Sequence, residues 1–345
     1  MVNVAIIGAT GYGGVELIRL LHAHPKVRLS HLTSETYAGR RVSDVYPHLS
    51  GLDLALEKLD PQAAGESDFA LLAVPAGVAM KVVPDLLQAG TRIVDVSPDF
   101  RLRDPSLYSH WYKQSHACPE LLKETAFGIP EWNRDAIESA RLVAAPGCYT
   151  TAALLALSPL VREALLETDD IIADGKTGLS GAGRTSLTLP YHFPEADEDA
   201  AAYGVGGHRH MPEMVQELAR LTTSDVRLTF TPHLIPMSRG IILTIYARPK
   251  AGAGPGELRD CLAHYYEEEP FVHVLPEATW PHTKWATGTN NCFLAVGIDE
   301  ATGRAILVSV LDNLGKGYAG QMVQCLNRMI GVEESCGLSL PAAYP

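Results

Sequence analysis

Long apolar runs, clustered cations and paired cysteines are all missing from this 345-residue sequence. The longest apolar stretch, Phe69 to Ala79, is broken by Pro75 and Gly77 and is too short to span a bilayer. A strand-like run begins at Val2 with no basic segment and apolar segment ahead of it, so a cytosolic protein is expected. No run rich in lysine or arginine occurs, and 40 acidic against 28 basic residues leave a formal charge of −12. Nucleic acid and anionic membrane are therefore poor partners, while a local basic pocket for an anionic metabolite stays open. The six cysteines, at 118, 148, 261, 292, 325 and 336, include no CxxC pair. That argues against a zinc site or disulfide framework and for thiols in a reducing compartment. Repeats and long low-complexity linkers are absent as well. What is present is 46% hydrophobic, ample apolar material for about two domains at this length.

Val2 to Ile7 is a near-continuous apolar run, as a central parallel strand covered on both faces requires. A glycine-rich turn follows, then Val15 to Leu21 with apolar positions at helical spacing. Further strands are expected at Val27–Thr33, Asp68–Val74, Arg92–Val96 and Arg141–Ala145, with a helix over Ala76–Ala89. Alternating strands and helices predict a Rossmann-like doubly wound α/β sheet as the dinucleotide-binding domain, residues 1–147. In the second half, Val226–Thr231, Ile241–Ala247, Cys292–Ile298 and Ala305–Val310 cluster with few helices between them. This predicts an α+β catalytic and oligomerisation domain, residues 148–316, on a largely antiparallel sheet. The last helix, about Gly317 to Ile330, has no sheet of its own to cover, and the segment 317–345 is expected to pack back on the first domain.

Cys148 is placed where a strand breaks at Pro146-Gly147 and a helix opens at about Thr150. The unpaired N–H groups and dipole of a helix start favour a thiolate, which would be a nucleophile. An inert buried cysteine is the alternative. Gly8, Gly11, Gly13 and Gly14, with Thr10 and Tyr12 between them, lie where a dinucleotide pyrophosphate meets backbone N–H groups. Beyond the second strand, Ser34-Glu35 and then Arg40-Arg41 leave the choice between NAD and NADP open, because an acid holds a ribose 2′-OH and a cation a 2′-phosphate. His208 and His210 stand just before a helix opened by Pro212 and Glu213, where the dipole favours neutral imidazole for acid/base work. Two stretches suit anions: Ser97 to Arg101, and the loop Lys176 to Arg184, which follows an expected strand Ile171–Asp174 and holds Ser180 and Gly181. Asp312-Asn313 precedes the last helix and is expected to line the nicotinamide end of the site.

Taken in order, Gly8–Gly14, Asp99-Phe100-Arg101, Pro146–Tyr149, His208–Glu213 and Asp312–Gly317 resemble the N-acetyl-γ-glutamyl-phosphate reductase family, which is related to aspartate-semialdehyde dehydrogenases. The resemblance runs over essentially the whole chain. It implies Cys148 as nucleophile, His210 as acid/base and His208 as its helper, with NADP(H) on the Gly8–Gly14 loop. Ser34, Arg40, Pro75 and Asn313 become further cofactor candidates. Arg101, Lys176, Ser180, Gly181, Arg184 and Glu213 become candidates for the acyl-phosphate substrate. It also implies NADPH-dependent reduction of that acyl phosphate in arginine biosynthesis, by a homo-oligomer, with a tetramer favoured over a dimer. On the residues themselves, the histidines and Glu213 have a metal-like spacing but no cysteine or second cluster to complete it, so no resident metal is expected. Glu35 stands where such relatives often carry Arg, and Ala76 where they often carry His. Rival readings are the acetylaminoadipyl-phosphate reductase of lysine synthesis, aspartate-semialdehyde dehydrogenase, an NADP-sensing regulator without chemistry, and a cysteine hydrolase.

Overall fold

The computed structural model of the chain describes residues 1–185 and 188–343. Two compact units divide it. One comprises Met1–Pro146, Gly183–Thr185 and Tyr318–Leu340; the other comprises Gly147–Ala182, Ser186–Gly317 and Pro341–Pro345.

The first unit carries a seven-stranded sheet made of β1 (Val2–Ile7), β2 (Val27–Thr33), β3 (Leu56–Glu57), β4 (Phe69–Leu72), β5 (Arg92–Asp95), β6 (Ala126–Phe127) and β7 (Leu142–Ala144). The strands run in the order β3-β2-β1-β4-β5-β7-β6, and every pairing is parallel. Both faces are covered, so β4 and β7 are buried at every residue. The strand order reverses at β1, beside β4, the position at which open α/β sheets hold ligands at their carboxyl ends. The loop after β1 therefore opens at the expected cofactor position.

The helix expected over Ala76–Ala89 begins only at Ala79 and ends at Gln88. Gly77 has φ +83° and its N–H is held by the Asp99 carboxylate at 2.8 and 3.1 Å, so residues 75–77 form a tethered loop instead of a helical turn. The segment Tyr318–Leu340 belongs to this unit, and its helix Gly320–Met329 packs on the helix Pro130–Ser139. Its inner face is polar and hydrogen-bonded to the rest of the unit. Gln321 Nε2 donates to the Gly128 carbonyl at 2.8 Å, and Gln324 Nε2 to Glu131 at 3.0 Å and Glu334 at 2.8 Å.

The second unit carries β8 (Ile171–Thr177), β9 (Ala201–Ala202), β10 (Leu228–Leu234), β11 (Ile241–Ala247), β12 (Val272–Val274), β13 (Cys292–Asp299) and β14 (Arg304–Leu311). Their order is β12-β13-β14-β11-β8-β10-β9. The sheet is mixed: β11 runs antiparallel to β8 and β14, β13 to β14 and β9 to β10, while β10 lies parallel to β8 and β12 to β13. Ile241, Leu243, Ile245 and Ala247 alternate into the core, where β11 and β14 meet the helix Cys148–Arg162. That helix is buried from Tyr149 through Val161. It begins two residues earlier than its apolar spacing suggested, so Cys148 is its first residue.

Candidate active site

In the second unit, Gly147 is the N-cap of the cysteine helix and Cys148 opens its first turn. The sulfur-bearing residue thus sits among N–H groups that have no intrahelical partner. Glu213 fixes this turn. Its carboxylate is fully buried, and Oε2 accepts from the Gly147 N–H at 3.0 Å and from Thr150 Oγ1 at 2.9 Å. Glu213 lies in the first turn of the helix Met211–Leu218, whose N-cap is His210. One carboxylate therefore ties the start of the cysteine helix to the start of the histidine helix. The His210 ring lies so close to Gly147 that a Cβ there would stand 2.2 Å from Nε2. Glycine at 147 is the condition for that approach.

The two histidines form part of an aromatic cluster. Their ring centroids are 4.7 Å apart, and the Tyr149 ring meets both edge-on at 6.0 and 6.2 Å. His208 Nδ1 accepts the His210 backbone N–H at 3.1 Å, which assigns any ring proton of neutral His208 to Nε2. Burial, then the neighbouring His210, pushes the His208 pKa down to about 3, against a smaller upward pull from Glu213. His208 is neutral at physiological pH. Behind Cys148, Gly317 leaves room for it, since a Cβ at 317 would come 2.7 Å from the Cys148 Cβ. The Gly317 N–H donates to the Asp312 carbonyl at 2.9 Å, and the buried Asp312 carboxylate pairs with Arg239 at 2.9 Å. Asn313 bridges Ser180 Oγ, to which its Nδ2 donates at 2.9 Å, and the Gly240 N–H, which its Oδ1 accepts at 2.8 Å.

In the first unit, the loop after β1 is built for close backbone approach. Gly8 has φ +90°, and a Cβ on it would fall 2.3 Å from the Ala73 carbonyl. At Gly14 a Cβ would fall 2.2 Å from the Gly8 carbonyl, and at Gly13 2.1 Å from the Tyr318 ring. Gly11, the N-cap of the helix Tyr12–His22, is open by contrast, with only the Gly8 carbonyl at 3.8 Å. An open glycine at a helix start fits a pyrophosphate laid across the first-turn N–H groups. Thr10 Oγ1 and Ser34 Oγ lie 2.7 Å apart, joining this loop to the end of β2. Tyr46 donates to the Thr10 carbonyl at 2.7 Å, and Arg184 to the same carbonyl at 3.2 Å. The Pro75 loop is tethered through Gly77 to Asp99, whose Oδ1 also accepts from the Tyr108 hydroxyl at 2.7 Å.

The semialdehyde dehydrogenase NAD binding domain matches residues 3–140, and the semialdehyde dehydrogenase dimerisation domain matches residues 148–313. A protein of Desulforudis audaxviator (strain MP104C), named N-acetyl-gamma-glutamyl-phosphate reductase, is 48% identical over 347 aligned residues that cover 100% of both chains. Proteins of the same name from Pelotomaculum thermopropionicum and Halorhodospira halophila are each 46% identical, over 100% of this chain and 99% and 100% of theirs. The chain belongs to the N-acetyl-gamma-glutamyl-phosphate reductase family. Aspartate semialdehyde dehydrogenase II from Vibrio cholerae shares the fold, with a TM-score of 0.74 at 19% identity over 96% of this chain and 98% of that one. The Candida albicans aspartate semialdehyde dehydrogenase, solved with NADP, has a TM-score of 0.72 at 15% identity over 96% and 99%.

Within this reductase-family chain, the structure gathers Cys148, His208, His210 and Glu213 at one turn, and Ser180 with Asn313 at another. Several residues expected on the substrate have protein partners in this structure. Glu213 anchors backbone from a fully buried position. Arg101 is buried too, its Nε donating to the Ala145 carbonyl at 3.0 Å and its Nη2 to the Val96 carbonyl at 2.5 Å, so it ties the ends of β5 and β7. Lys176 is a strand residue, because β8 runs on to Thr177 between β10 and β11, and it pairs with Asp174 at 2.7 Å. Gly181 lies in a short 3₁₀ turn, Leu179–Ala182. Arg184 leaves that stretch for the nucleotide unit. Asn313, expected on the nicotinamide, holds Ser180 and Gly240 within the second unit. Tyr12 is exposed at 38% beside the glycine loop, and Arg40 donates to the Asp44 carbonyl at 3.1 Å. The sequence reading missed Arg239, a lone cation in the turn between β10 and β11 with no motif around it. Among the described residues no cluster of His, Cys, Asp or Glu is arranged for a metal, and no helix is long and apolar enough to cross a membrane.

Proposed function

We propose that this chain reduces N-acetyl-γ-glutamyl phosphate to N-acetylglutamate 5-semialdehyde and phosphate with NADPH, through a thioester on Cys148. The observation that carries the reading is the turn at Gly147-Cys148, held by Glu213 and faced by His210, in a chain 48% identical end to end to a reductase of that name. The Cys148 sulfur attacks the acyl carbon; the S–C bond forms as the C–O bond to phosphate breaks, and phosphate leaves. NADPH, when bound, supplies the hydride that reduces the thioester carbon. The C–S bond of the thiohemiacetal then breaks, releasing aldehyde and regenerating Cys148, with His210 holding the proton exchanged at sulfur and oxygen. Helix-start N–H groups favour the anionic sulfur at each end of the cycle. Glu35 leaves NADP open, although an acid after β2 can also hold the ribose 2′-OH of NAD. Its Oε1 accepts the Leu59 N–H at 3.3 Å, which draws the carboxylate toward the backbone after β3. Assembly as a homo-oligomer through the second unit, in the cytosol, completes the reading; light scattering at monomer mass would contradict the assembly.

The test is Cys148→Ala in the full chain. Reduction of the acyl phosphate is expected to fall by at least ~10⁴-fold, as for removal of a covalent nucleophile, while NADPH titrates as before. Near-normal turnover by the variant overturns the assignment. Side-by-side kinetics on the glutamyl and aminoadipyl acyl phosphates tests the substrate, and a higher kcat/KM on the longer one overturns that part alone.

A further inference from the structure

Arg184 follows the 3₁₀ turn after β8, yet its contacts lie in the nucleotide unit. The guanidinium carbon sits 4.8 Å from the Tyr46 ring centroid and 5.5 Å from that of Tyr37. Nη1 donates to the Thr10 carbonyl at 3.2 Å and to the Tyr46 hydroxyl at 2.7 Å. A second guanidinium, Arg40, lies 5.8 Å from the Tyr37 centroid. Neither Arg40 nor Arg184 forms an ion pair with a carboxylate among the described residues, and the acids nearby are engaged. Asp53 pairs with Arg41 at 2.8 Å, Asp44 accepts the Arg41 N–H at 3.1 Å, Glu57 meets His31 at 3.1 Å, and Glu35 accepts the Leu59 N–H. Two cations thus flank one ring with no counter-charge, next to a hydroxyl pair, Thr10 and Ser34, that links the glycine loop to the end of β2.

The end of β2 is where a doubly wound sheet receives the adenosine ribose. Stacking on tyrosine occupies the π face of an arginine and leaves its N–H edge for an anion, and a guanidinium matches phosphate with two parallel hydrogen bonds. Among the described residues only Nη1 of Arg184 donates to protein, so Nε and Nη2 keep that edge. We propose that Arg184, together with Arg40, holds the 2′-phosphate of NADP(H), which makes Arg184 a specificity-determining residue for the cofactor and not a ligand of the substrate phosphate. The inference rests on the nicotinamide-reductase reading above and assigns one subsite within it. It also gives a reason for Glu35 at this position: the phosphate-binding cation arrives from a distant part of the chain.

Fluorescence titration of the full chain with NADPH and with NADH, without acyl phosphate, tests this in wild type, Arg184→Gln and Arg184→Lys. Loss of two charge-assisted hydrogen bonds is expected to raise the NADPH Kd of Arg184→Gln by roughly 10- to 100-fold. The NADH Kd should stay within about twofold, which also reports that the variant is folded, and Arg184→Lys should fall between. Equal weakening for both nucleotides would mean a structural role through Thr10 and Tyr46 and overturns the proposal, as does an unchanged NADPH Kd in both variants. A wild-type chain that binds neither nucleotide overturns the reductase reading itself.

Discussion

A carboxylate 66 residues from the cysteine turn does as much to define it as the cysteine does. Glu213 is buried, so the two donors it satisfies have no water to fall back on. His208 carries the other residue-level consequence. Burial holds it at about 3 against an ordinary 6.5. Between those values the unfolded chain binds a proton that the folded chain refuses. The stability tied to neutral His208 is therefore complete above about pH 6.5 and lost as pH falls toward 3. Urea unfolding from pH 6.5 down to 4 should show a declining free energy, with a shallower decline in His208→Asn. The slope is at most ~1.4 kcal/mol per pH unit, and less for a partly exposed ring. An unchanged slope in the variant would remove His208 as its source. The same shift keeps His208 from titrating near neutrality, so a neutral limb in the rate profile belongs to another group.

Among the elements, two helix starts are brought into register by glycine. Gly147 is an N-cap with φ −65° and ψ 151°, an extended conformation any residue adopts. The cost of a side chain there is steric only, and it falls on the His210 ring. Because a ring end can swing aside, Gly147→Ala at this buried position should fold with a loss of only about 1 kcal/mol, the centre of the range for single substitutions. Its kcat should drop roughly 100-fold as the imidazole leaves the turn. Steady-state kinetics beside a thermal melt separate the two effects, and wild-type kcat would show that His210 does not need this approach. Gly8 is the contrasting case. With φ +90° and a carbonyl 2.3 Å from the would-be Cβ, it has no such escape, and substitution there strains the backbone itself.

For the molecule as a whole, the chain's path matters as much as its elements. It leaves the nucleotide unit at Pro146, touches it again over Gly183–Thr185, and returns for Tyr318–Leu340. Each return brings side chains that complete that unit: Arg184 at the glycine loop, Tyr318 against Gly13, and the polar face of the last helix. Asn327 concentrates the last of these. Its Nδ2 donates to the Glu334 and Cys336 carbonyls at 2.9 and 2.8 Å, and its Oδ1 lies 2.9 Å from His24 Nε2. Asn327→Ala leaves these groups buried without their partner and should cost about 2–3 kcal/mol. Thermal denaturation and hydrogen exchange of the segment Gly320–Leu340 measure it, and exchange unchanged there would mean the tail is held by its apolar contacts alone.

The longer strands, the first and last helices, the open glycine loop and the cysteine at a helix start were legible in the sequence, because each follows from short-range rules, whereas β3, β6, β9 and β12, two or three residues each, were not. Apolar runs mark buried parallel strands, Pro146-Gly147 ends one, and helical spacing starts the next element. Boundaries were legible only loosely: Lys176 reads as loop until β10 and β11 are seen to flank it, and residues 76–78 read as helix until Asp99 is seen to hold Gly77. The tasks of the charged residues were decided by tertiary structure alone. Arg101 finds its carbonyl 44 residues on, Glu213 its amide 66 residues back, and Arg184 the Thr10 carbonyl 174 residues back. A buried charge takes whichever partner folding brings within about 3 Å, and no local pattern records that distance.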